Sequence, residues 1–195
     1  RYPHLDVVAG TRDWPRLPEF VARALAGERF AAVDGIEGPL DRPGRGPRAG
    51  RVKAFVEIML GCDNFCAYCV VPFTRGRERS RPMDEVIAEL RALAGEGYKE
   101  VTLIGQNVNS YRDGARRLPD LLRAANDLDG LERIRFLTSN PHDLTDELIE
   151  TMAACGKVCE SLHLPVQTGS DRMLAKMNRR HTRAHYEALV GRLRA

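Results

Sequence analysis

Two hydrophobic periods alternate along most of this chain. From about residue 54 onward, short continuous apolar runs give way to stretches in which apolar residues recur at helical spacing. That alternation predicts strands and helices following one another around a parallel sheet. The strand-like runs cover residues 54–60, 101–104, 134–138 and 161–164. Helical stripes follow in Val86, Ile87, Leu90, Leu93 and Ala94, then in Leu121, Leu122, Ala125 and Leu128, and then in Leu148, Ile149 and Met152. A last stripe holds Tyr186, Leu189, Val190 and Leu193. Boundary chemistry agrees with the periods. Thr145, Ser170 and Thr182 stand where N-cap hydroxyls are favoured, and Gly97 stands where a helix ends. Upstream, residues 5–10 read as a short strand. Residues 15–26 read as a helix with Leu17, Phe20, Val21, Ala24 and Leu25 on one face. Residues 34–53 are rich in glycine and proline without helical period, which reads as a linker. The expected organisation is a leading segment 1–33, a linker 34–53 and an α/β core 54–195 of four βα units.

Composition changes little in that picture. With 195 residues, 43% hydrophobic and 29% charged, the chain has the composition of a globular protein. No apolar run reaches the ~18 residues of a membrane span, and no membrane association is expected. Five cysteines form no even disulfide framework, which points to a reducing, cytoplasmic setting. The net charge of +3 says little, but its distribution says more. Arg42, Arg45, Arg48, Arg51 and Lys53 form one basic group, Arg75, Arg77, Arg79 and Arg81 a second, and Arg179, Arg180 and Arg183 a third. A solvated basic surface explains any one of them. Three around one candidate site favour a polyanionic substrate, with Arg75, Arg77 and Arg179 as its contacts.

That site is the stretch Gly61-Cys62-Asp63-Asn64-Phe65-Cys66-Ala67-Tyr68-Cys69, directly after the first strand of the core. Three thiolates at C-x3-C-x2-C spacing reach one point at the carboxyl end of that strand. A 4Fe-4S cluster takes four protein thiolates when it only carries electrons, so three leave one iron open to another ligand. A structural zinc site with a fourth ligand from Cys155, Cys159 or a histidine is the alternative, although the paired C-x2-C knuckles of such sites are missing. Unligated, packed thiols are a third reading. Each later strand also runs into a polar loop, with Gly105, Gln106 and Asn107 after the second. Ser139 follows the third, and Gln167, Thr168, Gly169 and Ser170 the fourth. Ligand sites of parallel α/β folds lie at this end of the strands. His142 and His163 stand on the same rim as candidate acids or bases, whereas Cys155 and Cys159 fall at the opposite end and read as packed thiols.

The cysteine spacing, with Tyr68 before the third cysteine, resembles that of the radical S-adenosylmethionine (SAM) superfamily. The longer stretch Cys69-Val70-Val71-Pro72-Phe73-Thr74-Arg75-Gly76-Arg77, Ser80-Arg81-Pro82 and His163-Leu164-Pro165-Val166-Gln167-Thr168-Gly169-Ser170-Asp171 resemble its methylthiotransferase branch. Leu103-Ile104-Gly105-Gln106-Asn107-Val108-Asn109-Ser110-Tyr111 is similar to the MiaB type of that branch, which acts on isopentenyl-adenosine beside the tRNA anticodon. Enzymes acting on threonylcarbamoyl-adenosine or a ribosomal protein are the nearest alternatives. A zinc-stabilised RNA-binding module is the alternative of another class. The resemblance implies a partial radical SAM (β/α) barrel with a 4Fe-4S cluster on Cys62, Cys66 and Cys69 and SAM chelating the open iron. It also implies SAM contacts from Tyr68, Gly105, Gln106, Asn107, Ser139, Gln167, Thr168 and Ser170. Gln106 and Asn107 stand where many members carry an acid. Partners implied are tRNA and an electron donor such as flavodoxin or ferredoxin, for a cytoplasmic monomer. A second, auxiliary 4Fe-4S cluster belongs to the family's N-terminal domain, and none of the five cysteines here takes its positions. On this view the chain is a central fragment of a larger enzyme, with residues 1–33 as the tail of its N-terminal α/β domain.

Overall fold

In the leading segment, β1 (Val7–Ala9) and β2 (Phe30–Ala32) pair in parallel on either side, in sequence, of α1 (Leu17–Leu25). Phe20 is fully buried, edge-on to Phe30 with ring centroids 5.5 Å apart. The rest of the expected apolar face is not buried: Leu17, Val21 and Leu25 are exposed. Two strands of three residues offer too little apolar surface to cover a nine-residue helix. The computed structural model describes residues 2–10, 13–33, 50 and 52–195, with the backbone alone at Trp14. Residues 34–49 and Arg51 of the expected linker, with Arg42, Arg45 and Arg48, lie outside the described residues. The chain forms two compact units, Arg1–Pro47 with Phe73–Arg75, and Arg48–Pro72 with Gly76–Ala195.

The larger unit is built on three parallel strands. β3 (Lys53–Glu57) continues, after Ile58, into the short β4 (Met59–Leu60). The cysteine loop and α2 (Val71–Thr74) follow, and β5 (Arg79–Ser80) returns antiparallel to β4, so the loop is pinned at its base. Then come α3 (Met83–Gly95) and β6 (Glu100–Ile104), which lies parallel to β3 with Lys53 opposite Glu100. A small hairpin, β7 (Arg112–Asp113) and β8 (Arg116–Arg117), leads into α4 (Leu118–Asn126). β9 (Arg133–Phe136) adds parallel to β6, followed by α5 (Asp146–Ala154), α6 (Asp171–Lys176) and α7 (Arg183–Arg194). Among the described residues no helix is long and apolar enough to cross a membrane.

The expected stripes form the core. Val86, Leu90 and Leu93 of α3 and Leu121, Leu122 and Ala125 of α4 are fully buried with Val56, Val101, Leu103 and Ile134 of the strands. The Thr145, Ser170 and Thr182 hydroxyls accept from the backbone N–H three residues on, at 3.2, 3.4 and 3.2 Å. One expectation fails: residues 161–164 form no strand. The chain joins β9 earlier, by a single bridge between Val158 and Ile134. Ile134 N–H donates to Lys157 O at 2.7 Å and Cys159 N–H to Ile134 O at 2.9 Å. Five residues further along both chains, Ser139 N–H donates to His163 O at 3.2 Å. The segment thus runs in register beside the third strand, tied at both ends but not between. Pro165, which has no N–H to give, stops the ladder from resuming.

Beneath the cysteine loop lies a buried ion pair. Arg81 donates to Glu89 Oε2 and to Glu57 O, both at 2.8 Å, and its own carbonyl accepts from the Tyr111 hydroxyl at 2.7 Å. Removing one partner of such a pair strands the other charge out of water, which costs about 3–5 kcal/mol. Arg81→Met is therefore expected to lower the unfolding free energy in urea by about 3 kcal/mol or more. A change within error would show that the pair carries little of the fold.

Candidate functional site

The cysteine loop has almost no secondary structure of its own, and its shape is set from outside. Gly61 sits at φ +78°, and a Cβ there would lie 2.1 Å from Arg77 O, so no other residue fits without moving the backbone. Gly61 N–H donates to Gln106 Oε1 at 2.6 Å and Cys62 N–H to Gly76 O at 3.3 Å. Asp63 accepts from Arg77 at 2.7 Å and from Glu78 N–H at 3.1 Å. The Arg77 guanidinium holds the Asp63 carboxyl below the usual carboxylate range. Within the loop itself, Cys69 N–H donates to Cys66 O at 2.9 Å.

Two of the three sulfurs carry hydrogen-bond donors. Asn64 Nδ2 lies 3.5 Å from Cys62 Sγ, and Arg179 Nη1 lies 3.4 Å from Cys66 Sγ. Burial pushes the Cys62 thiol up, the bonds from Asn64 pull it down, and Glu78 and Cys66 add to the rise. Partial burial also raises the Tyr68 phenol, with Arg179 opposing and Cys66 and Cys69 adding to the rise. Tyr68 therefore lies among the same groups as the cysteines and is itself 53% exposed. Among the described residues, no three His, Cys, Asp or Glu side chains converge closely enough to hold a single metal ion. One zinc ion at ~2.3 Å from each sulfur needs thiolates in near contact, whereas a cubane places its own body between them. All five cysteines are free thiols; Cys155 is buried under α5, and the backbone N–H of Cys159 pairs with β9. The donor set is three thiols with N–H groups on two of the sulfurs. That chemistry suits a sulfur-ligated cluster.

The other expected residues divide into two groups. Asn107 Oδ1 and Ser139 Oγ, at the ends of β6 and β9, are buried polar atoms without a hydrogen-bond partner. Asn107 is fixed by its own Nδ2, which donates to Asp143 at 2.7 Å. These two orphaned atoms suit a polar ligand at the rim. Gln106, Thr168 and Ser170 instead make internal bonds. Gln106 holds Gly61, Thr168 Oγ1 accepts from Ser170 N–H at 3.3 Å, and Ser170 caps α6. A Cβ on Gly105 would lie 2.4 Å from the Met59 side chain, so β4 and the end of β6 approach closely only because of this glycine. Gln167 is exposed and left-handed at φ +68°. Arg77 is exposed but paired with Asp63 and stacked over Phe65 at 5.5 Å, and Arg75 is exposed and groups with the first unit. Arg179 is half-buried against Cys66. His142 and His163 are exposed.

Sequence reasoning missed five members of this neighbourhood. Asn64, Asn140 and Asn178 supply side-chain bonds around the loop, and their signal is weak because asparagine is ordinary turn chemistry. His181 is buried, and burial with the Arg179 charge lowers its pKa against an opposing hydrogen bond with the Val166 backbone. Glu78 is half-buried beside the loop, and burial pushes its carboxyl up to about 6.

Comparisons with known proteins agree on one family. The model of the radical SAM superfamily matches residues 56–195. A tRNA-2-methylthio-N(6)-dimethylallyladenosine synthase of Syntrophomonas wolfei is 50% identical over 196 residues, which are 97% of this chain and 44% of that protein. The enzyme of the same name from Carboxydothermus hydrogenoformans is 48% identical over 199 residues, 100% of this chain and 45% of that one. The chain spans less than half the length of these relatives. Among solved structures, a radical SAM methyltransferase, TsrM, from Kitasatospora setae with cobalamin and a 4Fe-4S cluster bound superposes with a TM-score of 0.59. It is 22% identical and covers 72% of this chain and 28% of that one, a likeness of fold.

The Glu78 carboxyl makes a measurable statement about the metal-free chain. Its folded pKa, about 6, lies above the ordinary 4.5, so the native state holds the proton more tightly than the unfolded state. Its contribution is full below pH ~4.5 and is lost as the pH rises through ~6. Glu78→Gln should therefore stabilise the metal-free chain at pH 7 by up to about 2 kcal/mol, with the gain vanishing near pH 4. Denaturant titrations at both pH values check this. An equal effect at both would assign the gain to something other than ionisation.

Proposed function

As the chain belongs to the radical SAM superfamily, we propose that it is the SAM-binding core of a tRNA methylthiotransferase. The substrate we assign is isopentenyl-adenosine beside the anticodon, which receives a methylthio group at C2. The observation that carries this reading is the pinned cysteine loop at the carboxyl ends of parallel strands, with N–H donors on Cys62 and Cys66. Relatives at 44–50% identity named for methylthiolation of dimethylallyladenosine support the choice within the family.

Cys62, Cys66 and Cys69 would hold a 4Fe-4S cluster in this reading, with SAM as its further ligand. When bound, the pair supplies one-electron radical chemistry able to activate an aromatic C–H bond. The chain's own residues orient and exclude. Asn107 Oδ1 and Ser139 Oγ, unpartnered at the ends of adjacent strands, take polar groups of SAM. Gly105 keeps that end of β6 tight against β4, and Gln106 acts indirectly by fixing Gly61. Tyr68, Gln167, Thr168 and Ser170 shape the mouth. Exposed Arg75 and Arg77 are assigned to RNA phosphates, where each contact adds salt-sensitive affinity. We assign residues 1–33 to the tail of an N-terminal domain that carries the auxiliary cluster. The setting is cytosolic, the chain a monomer, and a flavodoxin or ferredoxin the reductant.

Anaerobic reconstitution with iron and sulfide tests the reading. The chain should turn brown and, with SAM and a reductant, release 5′-deoxyadenosine. Cys62→Ala, Cys66→Ala and Cys69→Ala should each lose both the charge-transfer absorbance and SAM cleavage, while Cys155→Ala keeps both. An intact cluster in the Cys66→Ala chain, or stoichiometric zinc in a colourless wild-type chain, would sink the assignment.

A further inference from the structure

The turn that follows α6 closes on the cysteine loop from more than a hundred residues away in sequence. Ala67 N–H donates to Met177 O at 3.0 Å. Asn178, itself left-handed at φ +55°, donates through Nδ2 to Phe65 O at 2.9 Å and Asn64 O at 3.3 Å. Arg179 places Nη1 at 3.4 Å from Cys66 Sγ and Nη2 at 3.2 Å from Asn140 Oδ1. Asn140 is a rigid support. Its N–H donates to Asn109 Oδ1 at 2.9 Å, and its carbonyl accepts from Asn109 Nδ2 at 2.8 Å, both buried. The guanidinium is thus braced before it meets the sulfur.

This placement separates Arg179 from the arginines expected to meet a polyanion. Both its Nη atoms are engaged inside the protein and its Nε is buried without a hydrogen-bond partner, whereas the neighbouring Arg180 is exposed. We propose that Arg179 is a positioning residue acting through Cys66: braced on Asn140, it donates a charge-assisted hydrogen bond to the Cys66 sulfur and raises the reduction potential of the cluster that sulfur holds. The inference rests on the cluster reading given above and deepens it. Adding an electron puts negative charge on the cluster and its thiolates. A fixed positive charge with an N–H aimed at one sulfur favours that state, and hydrogen bonds to sulfur are among the levers that set such potentials. Asn178 acts on the same loop without charge and touches only carbonyls, so it separates holding the loop from tuning the cluster.

The test is a spectroelectrochemical titration of the reconstituted chain, with iron and sulfide counted first and thermal unfolding of the metal-free chain measured alongside. In Arg179→Leu the equilibrium constant for one-electron reduction should fall at least tenfold, a midpoint about 59 mV lower for a one-electron couple. Arg179→Lys, which keeps the charge but not the braced fork, should fall between Leu and wild type. Asn178→Gly, which preserves the left-handed backbone, should hold the cluster less firmly but leave the midpoint in place. If the Leu variant loses its cluster altogether, a lowered midpoint in the Lys variant supports the proposal. A wild-type midpoint in the Lys variant would then count against it. Unchanged midpoints in both arginine variants would overturn the proposal while leaving the cluster reading intact. So would a drop in metal-free stability without a change in potential, which is the mark of an ordinary structural contact. A wild-type chain that takes up no iron or sulfide would overturn both.

Discussion

A loop that must present three thiols to one point cannot also satisfy its own backbone, and this chain resolves the conflict by borrowing partners. Between Gly61 and Cys69, internal bonds include Cys69 N–H to Cys66 O and the Asn64 side chain to Cys62 Sγ. Further bonds come from outside the loop. Gln106 at the end of β6 takes Gly61 N–H, the returning segment 76–78 takes Cys62 N–H and Asp63, and residues 177–179 take Ala67 N–H, two carbonyls and the Cys66 sulfur. Buried backbone groups left unpaired would cost as much as lost hydrogen bonds. Each of these contacts is therefore both a structural necessity and a constraint on where the sulfurs lie.

The parallel sheet makes that borrowing possible. Because β3, β6 and β9 run the same way, the cysteine loop, the Gly105–Asn107 turn and the Ser139–Asn140 turn all emerge at one edge. Conformational strain gathers there as well. Among the described residues four non-glycines adopt left-handed backbone, and Phe65, Thr138, Gln167 and Asn178 all belong to this rim. Such positions persist only where their surroundings over-determine them, and they concentrate where ligands are held. The bonds from Asn178 to the loop and from Thr138 Oγ1 to Gly105 O at 2.7 Å show two of the devices that fix them.

What could be read from the sequence alone follows the same physics. The helices around the sheet and their caps were legible because apolar period and capping chemistry are local. The cysteine loop was legible because its spacing is the chemistry. Residues 161–164 were not, because a polar segment tied to β9 at its two ends looks like a strand in composition and is one only at Val158. The leading helix looked amphipathic, but a periodic stripe does not say whether anything covers it. Gln106 and Arg179 were expected as contacts of SAM and of a polyanion, and only the distances show that one holds Gly61 N–H and the other meets Cys66 Sγ. Glu78 gave no sign, since a glutamate's burial is a tertiary property.

The central claim is that three thiolates on this preformed loop hold a cluster with one iron left for SAM. Mössbauer spectroscopy on the chain reconstituted with isotopically enriched iron addresses it directly. On adding SAM, one iron of the cubane should change its isomer shift and quadrupole splitting while the other three keep theirs. Irons that remain equivalent with and without SAM would contradict the account.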